Sequence, residues 1–170
     1  MRMTLFTALD HQLFRRSQAH PQWRQWAGMA RWISRTGDGP LYGLIALAFW
    51  MSQWPSLQAY VLDLLYAFAI ELPLYVLLKH GFRRPRPVVA LQGVQAFIKP
   101  SDQFSLPSGH TAAAFVMASM AIGHFGLVGL LLLPWAMLVG LSRVLLGVHF
   151  PSDILAGAAL GSCVTCIVLF

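Results

Sequence analysis

The sequence predicts an all-α integral membrane protein: a bundle of about five spans preceded by an amphipathic N-terminal segment. Three observations predict it. The 170 residues are 57% hydrophobic and 11% charged, with a mean hydropathy of +0.61, whereas a soluble domain carries roughly 25% charge. The apolar residues fall in runs long enough to cross a bilayer. The twelve basic residues, set against six acidic ones for a net charge of +6, sit between those runs. There they meet anionic headgroups or a phosphate ligand rather than nucleic acid. This composition excludes a disordered chain, a disulfide scaffold and an ordinary cytosolic enzyme, and the length suits one domain over residues 1–170.

Met1 to Pro40 holds six arginines, at positions 2, 15, 16, 24, 31 and 35, and no long apolar run, so it does not read as a signal peptide. Leu5, Phe6, Leu9 and Leu13 recur at helical spacing, and Trp23, Trp26 and Trp32 follow among the arginines. Residues 1–36 are therefore expected to lie in the membrane interface; a short soluble cap on the bundle is the other open reading. Residues 37–170 form the bundle.

The first span runs from about Leu41 to Trp54, between Gly37-Asp38-Gly39-Pro40 and the interfacial Trp50 and Trp54. The second, Leu57 to Leu78, contains Asp63, Glu71 and Pro73; Glu71 is expected to pair with a polar group inside the bundle. Lys79 to Pro107 reads as a loop, because Pro85 and Pro87 cannot continue a helix. Its apolar patch, Val88 to Ile98, is interfacial or re-entrant, and a loop this long in a small bundle is usually functional. The third span runs from Ser108 to Phe125 and the fourth from Leu127 to Leu146, with a kink expected at Pro134. The fifth, Pro151 to Phe170, carries Gly157-x-x-x-Gly161, which permits close helix contact. That contact serves packing within the bundle, or the face of a possible homodimer. Cys163 and Cys166 lie in an apolar stretch and read as inert small residues rather than a redox pair.

With five spans, the N-terminal segment, the Lys79–Pro107 loop and the turn after Arg143 face one side, and all twelve basic residues lie there. By the positive-inside rule that side is cytoplasmic. Three clusters meet on it: Lys79 with Arg86; Pro107-Ser108-Gly109-His110; and Ser142-Arg143 with His149 and Asp153. Lys79, Arg86 and Arg143 need an anion, and the few acidic residues nearby read as too few to neutralise them. Arginine forks match phosphate and lysine adds a point charge. Ser108 and Gly109 open a helix whose free amides suit phosphate. His149 stands four residues before Asp153, which can hold one ring nitrogen and leave the other to attack phosphorus. His110 can then protonate the leaving oxygen. No residue cluster offers a metal site, and no cofactor is expected. Singly, each residue has a plainer reading: Ser108 as an N-cap, the cations as snorkelling anchors, the histidines as interfacial, Asp153 as a first-turn carboxylate. Arg84 faces either the phosphate or lipid headgroups, and His80 and His124 have no partner readable from sequence.

Lys79-x6-Arg86-Pro87, Pro107-Ser108-Gly109-His110 and Ser142-Arg143-x5-His149-x3-Asp153 resemble the three signature motifs of the type-2 phosphatidate phosphatase superfamily, in order and spacing. The resemblance implies a metal-independent membrane lipid phosphatase of six or a related number of helices. It implies His149 as the nucleophile forming a phosphohistidine, Asp153 orienting it and His110 as general acid. Lys79, Arg86, Ser108, the Gly109 amide and Arg143 would hold phosphate. With about five full spans and an amphipathic N-terminal segment, the chain departs from the six-span pattern and resembles the short bacterial undecaprenyl-pyrophosphate phosphatases of this superfamily. Undecaprenyl pyrophosphate is thus the first substrate expected, in carrier-lipid recycling for the cell wall at the bacterial inner membrane. Phosphatidylglycerophosphate, phosphatidate and lipid A phosphates are alternatives, as are a lipid phosphotransferase and a non-enzymatic carrier or flippase. Family precedent puts the site on the extracytoplasmic face, against the arginine count, and phosphate binding already accounts for much of that charge.

Overall fold

The computed structural model describes residues 5–170, with side chains from Thr7 onward. Arg2 and the side chains of Leu5 and Phe6 lie outside the described residues. The chain is helical, and the N-terminal segment forms two helices rather than one: α1 (Leu5–Ala19) and α2 (Trp23–Thr36). Pro21 stands in the turn between them, where a fixed φ and a missing N–H break the helix. Helix α1 buries Phe14 against Leu91, Val144 and Phe150. Helix α2 turns Ala27, Ala30 and Ser34 inward, at the spacing of one helical face. These small residues let it lie close over Leu146 and Val148.

Helix α3 (Gly39–Met51) begins with Pro40 in its first turn and stops short of Trp54, which instead precedes α4 (Pro55–Phe82). Helix α4 runs a full turn beyond Leu78, so Lys79 lies on the helix and not in a loop. Pro85 restrains only the residue before it, and the helix ends where Arg83 turns left-handed with φ of 48°. After a single turn, α5 (Pro87–Ala90), the chain crosses to α6 (Gly109–Phe125), with Ser108 as its N-cap. A tight 3-10 turn at Gly126–Leu131 leads into α7 (Leu132–Leu145), and α8 (Pro151–Leu169) closes the bundle. Pro134 sits in the first turn of α7, and the irregularity of the fourth span falls before it, in the 3-10 turn that starts at Gly126 with φ of 57°.

Pro55–Phe82, Gly109–Leu145 and Pro151–Leu169 are long and apolar enough to cross a membrane, and α3 is a shorter apolar helix. The middle stretch folds back on itself, because Ala114 and Ala118 of α6 pack on Ala136 and Val139 of α7. Five apolar limbs result, and the protein is a membrane-embedded helical bundle. Helix α6 is its axis. A Cβ at Gly157 would meet the Ser108 carbonyl oxygen at 2.5 Å, and one at Gly161 the Ala112 oxygen at 2.3 Å. The glycine spacing of α8 thus seats α6, and that face is filled from within the chain. Cys163 and Cys166 lie exposed on α8. On another side of α6, Tyr60 and Leu64 of α4 pack on Val116, Met117 and Met120, and Tyr60 donates a 3.1 Å hydrogen bond to the Met117 carbonyl. His124, without a readable partner in sequence, meets Asp63 at 2.8 Å across these helices.

Candidate active site

The end of α4, the start of α6, the end of α7 and the start of α8 meet at one end of the bundle. Residues 91–107 and helices α1 and α2 cover them. Lys79, Arg86, Ser108, Arg143, His149 and Asp153 are all buried there, and His110 and Gly109 are partly buried.

His149 follows α7 directly, after a turn at Gly147 whose φ is 79°. A Cβ at Gly147 would stand 3.0 Å from the Gln95 carbonyl oxygen, so glycine serves both the turn and the close approach. The His149 side chain is 3% exposed, and its two nitrogens face different chemistry. Nε2 lies 3.4 Å from Nη1 of Arg86. Arginine only donates, so Nε2 carries the lone pair and the ring proton belongs on Nδ1. Nδ1 faces Asp153 Oδ2 at 3.5 Å, which is longer than a hydrogen bond. Burial first, then the nearby Arg86 and Arg143, push the His149 pKa down to about 4, against the opposing pull of Asp153. The ring is neutral at physiological pH.

Asp153 is fully buried and its carboxylate is occupied elsewhere. Oδ2 accepts the Phe150 amide at 2.7 Å, and Oδ1 accepts Arg84 Nη1 at 2.7 Å. Arg84 also reaches Asp10 of α1 at 2.6 Å. This arginine faces neither phosphate nor headgroups. It ties α1 to the carboxylate behind His149, and its guanidinium lies 4.4 Å over the Phe150 ring.

The expectation that acidic residues are too few to neutralise the cations fails for two of the three. Asp102, in the stretch before α6, takes Lys79 Nζ at 2.7 Å on Oδ2 and Arg86 Nη2 at 2.8 Å on Oδ1. Arg86 also donates through Nε to the Asp102 carbonyl at 2.9 Å and through Nη1 to the Val148 carbonyl at 2.7 Å. Tyr75, one turn before Lys79, hydrogen-bonds both Lys79 and Asp102. Burial opposes ionisation of Asp102, but hydrogen bonds from Lys79 and Arg86 outweigh it and hold the carboxyl down at about 2. Among the described residues Arg143 has no such partner. It donates from Nη1 to Ser34 of α2 at 2.6 Å, and its buried Nε has no acceptor among them.

Ser108 Oγ accepts a 2.9 Å hydrogen bond from Thr111, and the Ser108 amide is spent on the Asp153 carbonyl at 3.0 Å. A Cβ at Gly109 would come within 2.9 Å of the Tyr75 ring, so glycine lets this helix start approach α4. Nε2 of His110 meets Asp38, just before α3, at 2.9 Å, which leaves Nδ1 for another partner. Asp38 and His110 stand between two cavities. One is an apolar groove of about 440 Å³ between α3, α4 and α6, lined by residues such as Tyr42, Leu64, Leu65, Phe68 and Met117. The other, of about 400 Å³, is polar and holds Arg31, Arg35, Lys99 and Arg143. Glu71 is buried in α4, but the pairing expected for it is absent among the described residues.

Sequence reasoning thus left out Asp102, Asp38, Ser34, Asp10 and Tyr75. A neutral imidazole lone pair facing buried cations, with a carboxylate behind the ring and a second histidine beside an apolar groove, can support attack on the phosphate of an amphiphile.

Over 96 residues the sequence is 42% identical to the decaprenylphosphoryl-5-phosphoribose phosphatase of Mycobacterium tuberculosis, covering 55% of this chain and 50% of that protein. Over 128 residues it is 30% identical to undecaprenyl-diphosphatase BcrC of Bacillus subtilis, covering 75% of this chain and 63% of that protein. The chain therefore spans between half and two thirds of the length of these relatives. Among solved structures, LpxE of Aquifex aeolicus superposes with a TM-score of 0.80 at 28% identity, covering 93% of each chain. Residues 60–169, which hold most of α4 and all of α5 through α8, with the cluster from Tyr75 to Asp153, match the PAP2 superfamily, and the chain belongs to that family.

Proposed function

We propose that this protein is a metal-independent membrane lipid phosphatase whose substrate is a polyprenyl diphosphate, undecaprenyl pyrophosphate before others. The observation that carries the reading is the neutral, buried His149, with its Nε2 lone pair turned toward Arg86 and its Nδ1 toward Asp153. In this reading Lys79, Arg86, Arg143, Ser108 and the Gly109 amide hold the terminal phosphoryl group. Nε2 of His149 attacks phosphorus, and the bond to the leaving oxygen breaks with its electron pair on that oxygen. His110, steadied by Asp38, gives it a proton. Asp153 offsets the positive charge that grows on the His149 ring. Water then attacks phosphorus and passes a proton to His110, the bond from phosphorus to His149 Nε2 breaks with its electron pair returning to that nitrogen, and inorganic phosphate departs.

The apolar groove beside His110 suits the prenyl chain, and two relatives are named for polyprenyl-linked phosphates. The mycobacterial name favours a second reading, in which the phosphate is carried on a sugar joined to the lipid. The chain acts as a single domain in the bacterial inner membrane. Helices α1 and α2 lie at the interface on the same side as the site, and that side is extracytoplasmic.

The test is phosphate release by purified protein in detergent with excess EDTA. Undecaprenyl pyrophosphate, phosphatidate and phosphatidylglycerophosphate are compared, with His149→Ala alongside. Release persists in chelator, favours the diphosphate and disappears in the variant. Full activity of His149→Ala overturns the mechanism, and preference for a glycerolipid overturns the substrate.

A further inference from the structure

The polar cavity next to the cluster has more positive charge than the phosphate-holding residues account for. Arg31 and Arg35 of α2, Lys99 and Arg143 line it, against one carboxylate, Asp38, already held by His110. Arg31 and Arg35 are one helical turn apart and project to the same side. Among the described residues neither Arg31 nor Lys99 has an ion-pair partner, and Arg35 rests its guanidinium 4.7 Å over Trp32. The deepest member, Arg143, is 4% exposed and presents an Nε with no acceptor. A buried charged donor left unmatched is costly, and a ligand oxygen relieves that cost. Helix α2 lies outside the residues that match the family.

His110 and Asp38 line this cavity and the apolar groove alike. The atoms beyond a leaving oxygen protonated by His110 therefore lie where the two meet. For a lipid monophosphate those atoms are an uncharged alcohol, and the cations have nothing to hold. For a lipid diphosphate they are a second phosphate, whose charge rises as the bridging bond breaks.

We infer that Arg31, Arg35 and Lys99, beside the Arg143 that holds the terminal phosphoryl group, form a second phosphate subsite on the leaving-group side of His110, which selects lipid diphosphates over lipid monophosphates. The inference rests on the proposed roles of His149 and His110. The bond between the terminal phosphorus and the bridging oxygen breaks, and its electron pair stays on the bridging oxygen. That oxygen takes the His110 proton and remains on the lipid monophosphate, the product, held by the arginines until it leaves.

Farnesyl diphosphate and farnesyl phosphate, equal in chain, separate the alternatives in neutral detergent micelles. In the Arg31→Gln/Arg35→Gln double variant the ratio of kcat/KM for diphosphate over monophosphate falls about 10- to 100-fold, the scale of one or two charge-assisted contacts. Lys99→Gln lowers it less, through one point charge. An unchanged ratio, or an equal fall for both substrates, overturns the inference. Anionic membrane headgroups are the other source of phosphate for these cations. Vesicles with and without phosphatidylglycerol distinguish them: a variant effect confined to anionic vesicles and equal for both substrates assigns the cations to the membrane and overturns the subsite. Should the unaltered protein hydrolyse neither substrate, the proposed function fails separately. Binding then reads the subsite alone, as a non-hydrolysable farnesyl methylene-bisphosphonate against farnesyl phosphonate. Loss confined to the bisphosphonate in the double variant supports the subsite, and equal loss refutes it.

Discussion

Asp102→Asn is the most informative single change at the cationic cluster. This carboxylate occupies the donors assigned to phosphate in the proposed function: Lys79 at 2.7 Å and Arg86 at 2.8 Å. All three guanidinium nitrogens of Arg86 are engaged, two of them by Asp102. An entering phosphate must therefore displace an anion tethered to the protein. A hydrogen bond to a charged group contributes about 1.5–3 kcal/mol, and the Asp102 side chain is 35% exposed, which places the contribution at the low end. Removing the charge relieves at least one such bond from the competition, so phosphate and vanadate bind about tenfold more tightly. Without ligand the same change leaves Lys79 and Arg86 buried and unpaired, and the variant unfolds at a lower temperature. Thermal unfolding in detergent against a phosphate series reads both effects, and the expected pattern is a lower starting Tm with a steeper rise. A variant that binds phosphate more weakly refutes the reasoning, because Asp102 would then be orienting the cations and not competing for them.

Three further outcomes follow from the same geometry. His149, with its pKa pushed down to about 4 chiefly by burial, titrates near that pH in NMR of histidine-labelled protein, with His149→Gln assigning the signal. The unfolded chain takes up this proton near 6.5, so the fold loses stability as pH falls from about 6.5 towards 4, and a midpoint near 6.5 would contradict the burial. Gly161→Ala sets a methyl 2.3 Å from the Ala112 oxygen and destabilises by about 1–3 kcal/mol. Gly28→Ala, with open space around it, is neutral or gains up to about 1 kcal/mol; equal Tm values for the two would deny the close α6–α8 contact. Arg84→Gln leaves Asp153, fully buried, and Asp10 without their cation and costs about 3–5 kcal/mol. Arg83→Gln, at an exposed position, changes little, and similar losses from both would remove Arg84 from its bridging role.

The legible parts of the site are those written in short stretches of chain. Residues 107–110 and 142–153 carry their chemistry within short continuous stretches, and the apolar runs between breaks outline the limbs of the bundle. What stayed hidden is pairing across long separations. Arg143 finds Ser34 from 109 residues away, and Arg84 finds Asp10 from 74. Asp102 stands in a polar stretch, where a carboxylate reads as solvated until the fold brings α4 beside it. The same holds for His124 and Asp63, which face each other only once α4 and α6 pack. The end of α4 is hidden for a local reason: a proline constrains only its neighbour, and Arg83 adopts a left-handed conformation two residues ahead of Pro85.

The brevity of α3 has a consequence for the bilayer. Thirteen helical residues reach about 20 Å, against a hydrocarbon thickness of about 30 Å. Gly39, Tyr42, Gly43 and Ala46 of this helix form one wall of the apolar groove. Hydrophobic mismatch at that wall thins the adjoining leaflet or draws lipid headgroups inward. On the proposed function, a long-chain lipid substrate arriving there has its headgroup lowered towards His110 while its tail slides sideways between helices. Turnover in that reading is coupled to membrane thickness, and bilayers of shorter acyl chains, which already match α3, present the substrate at the smallest elastic cost.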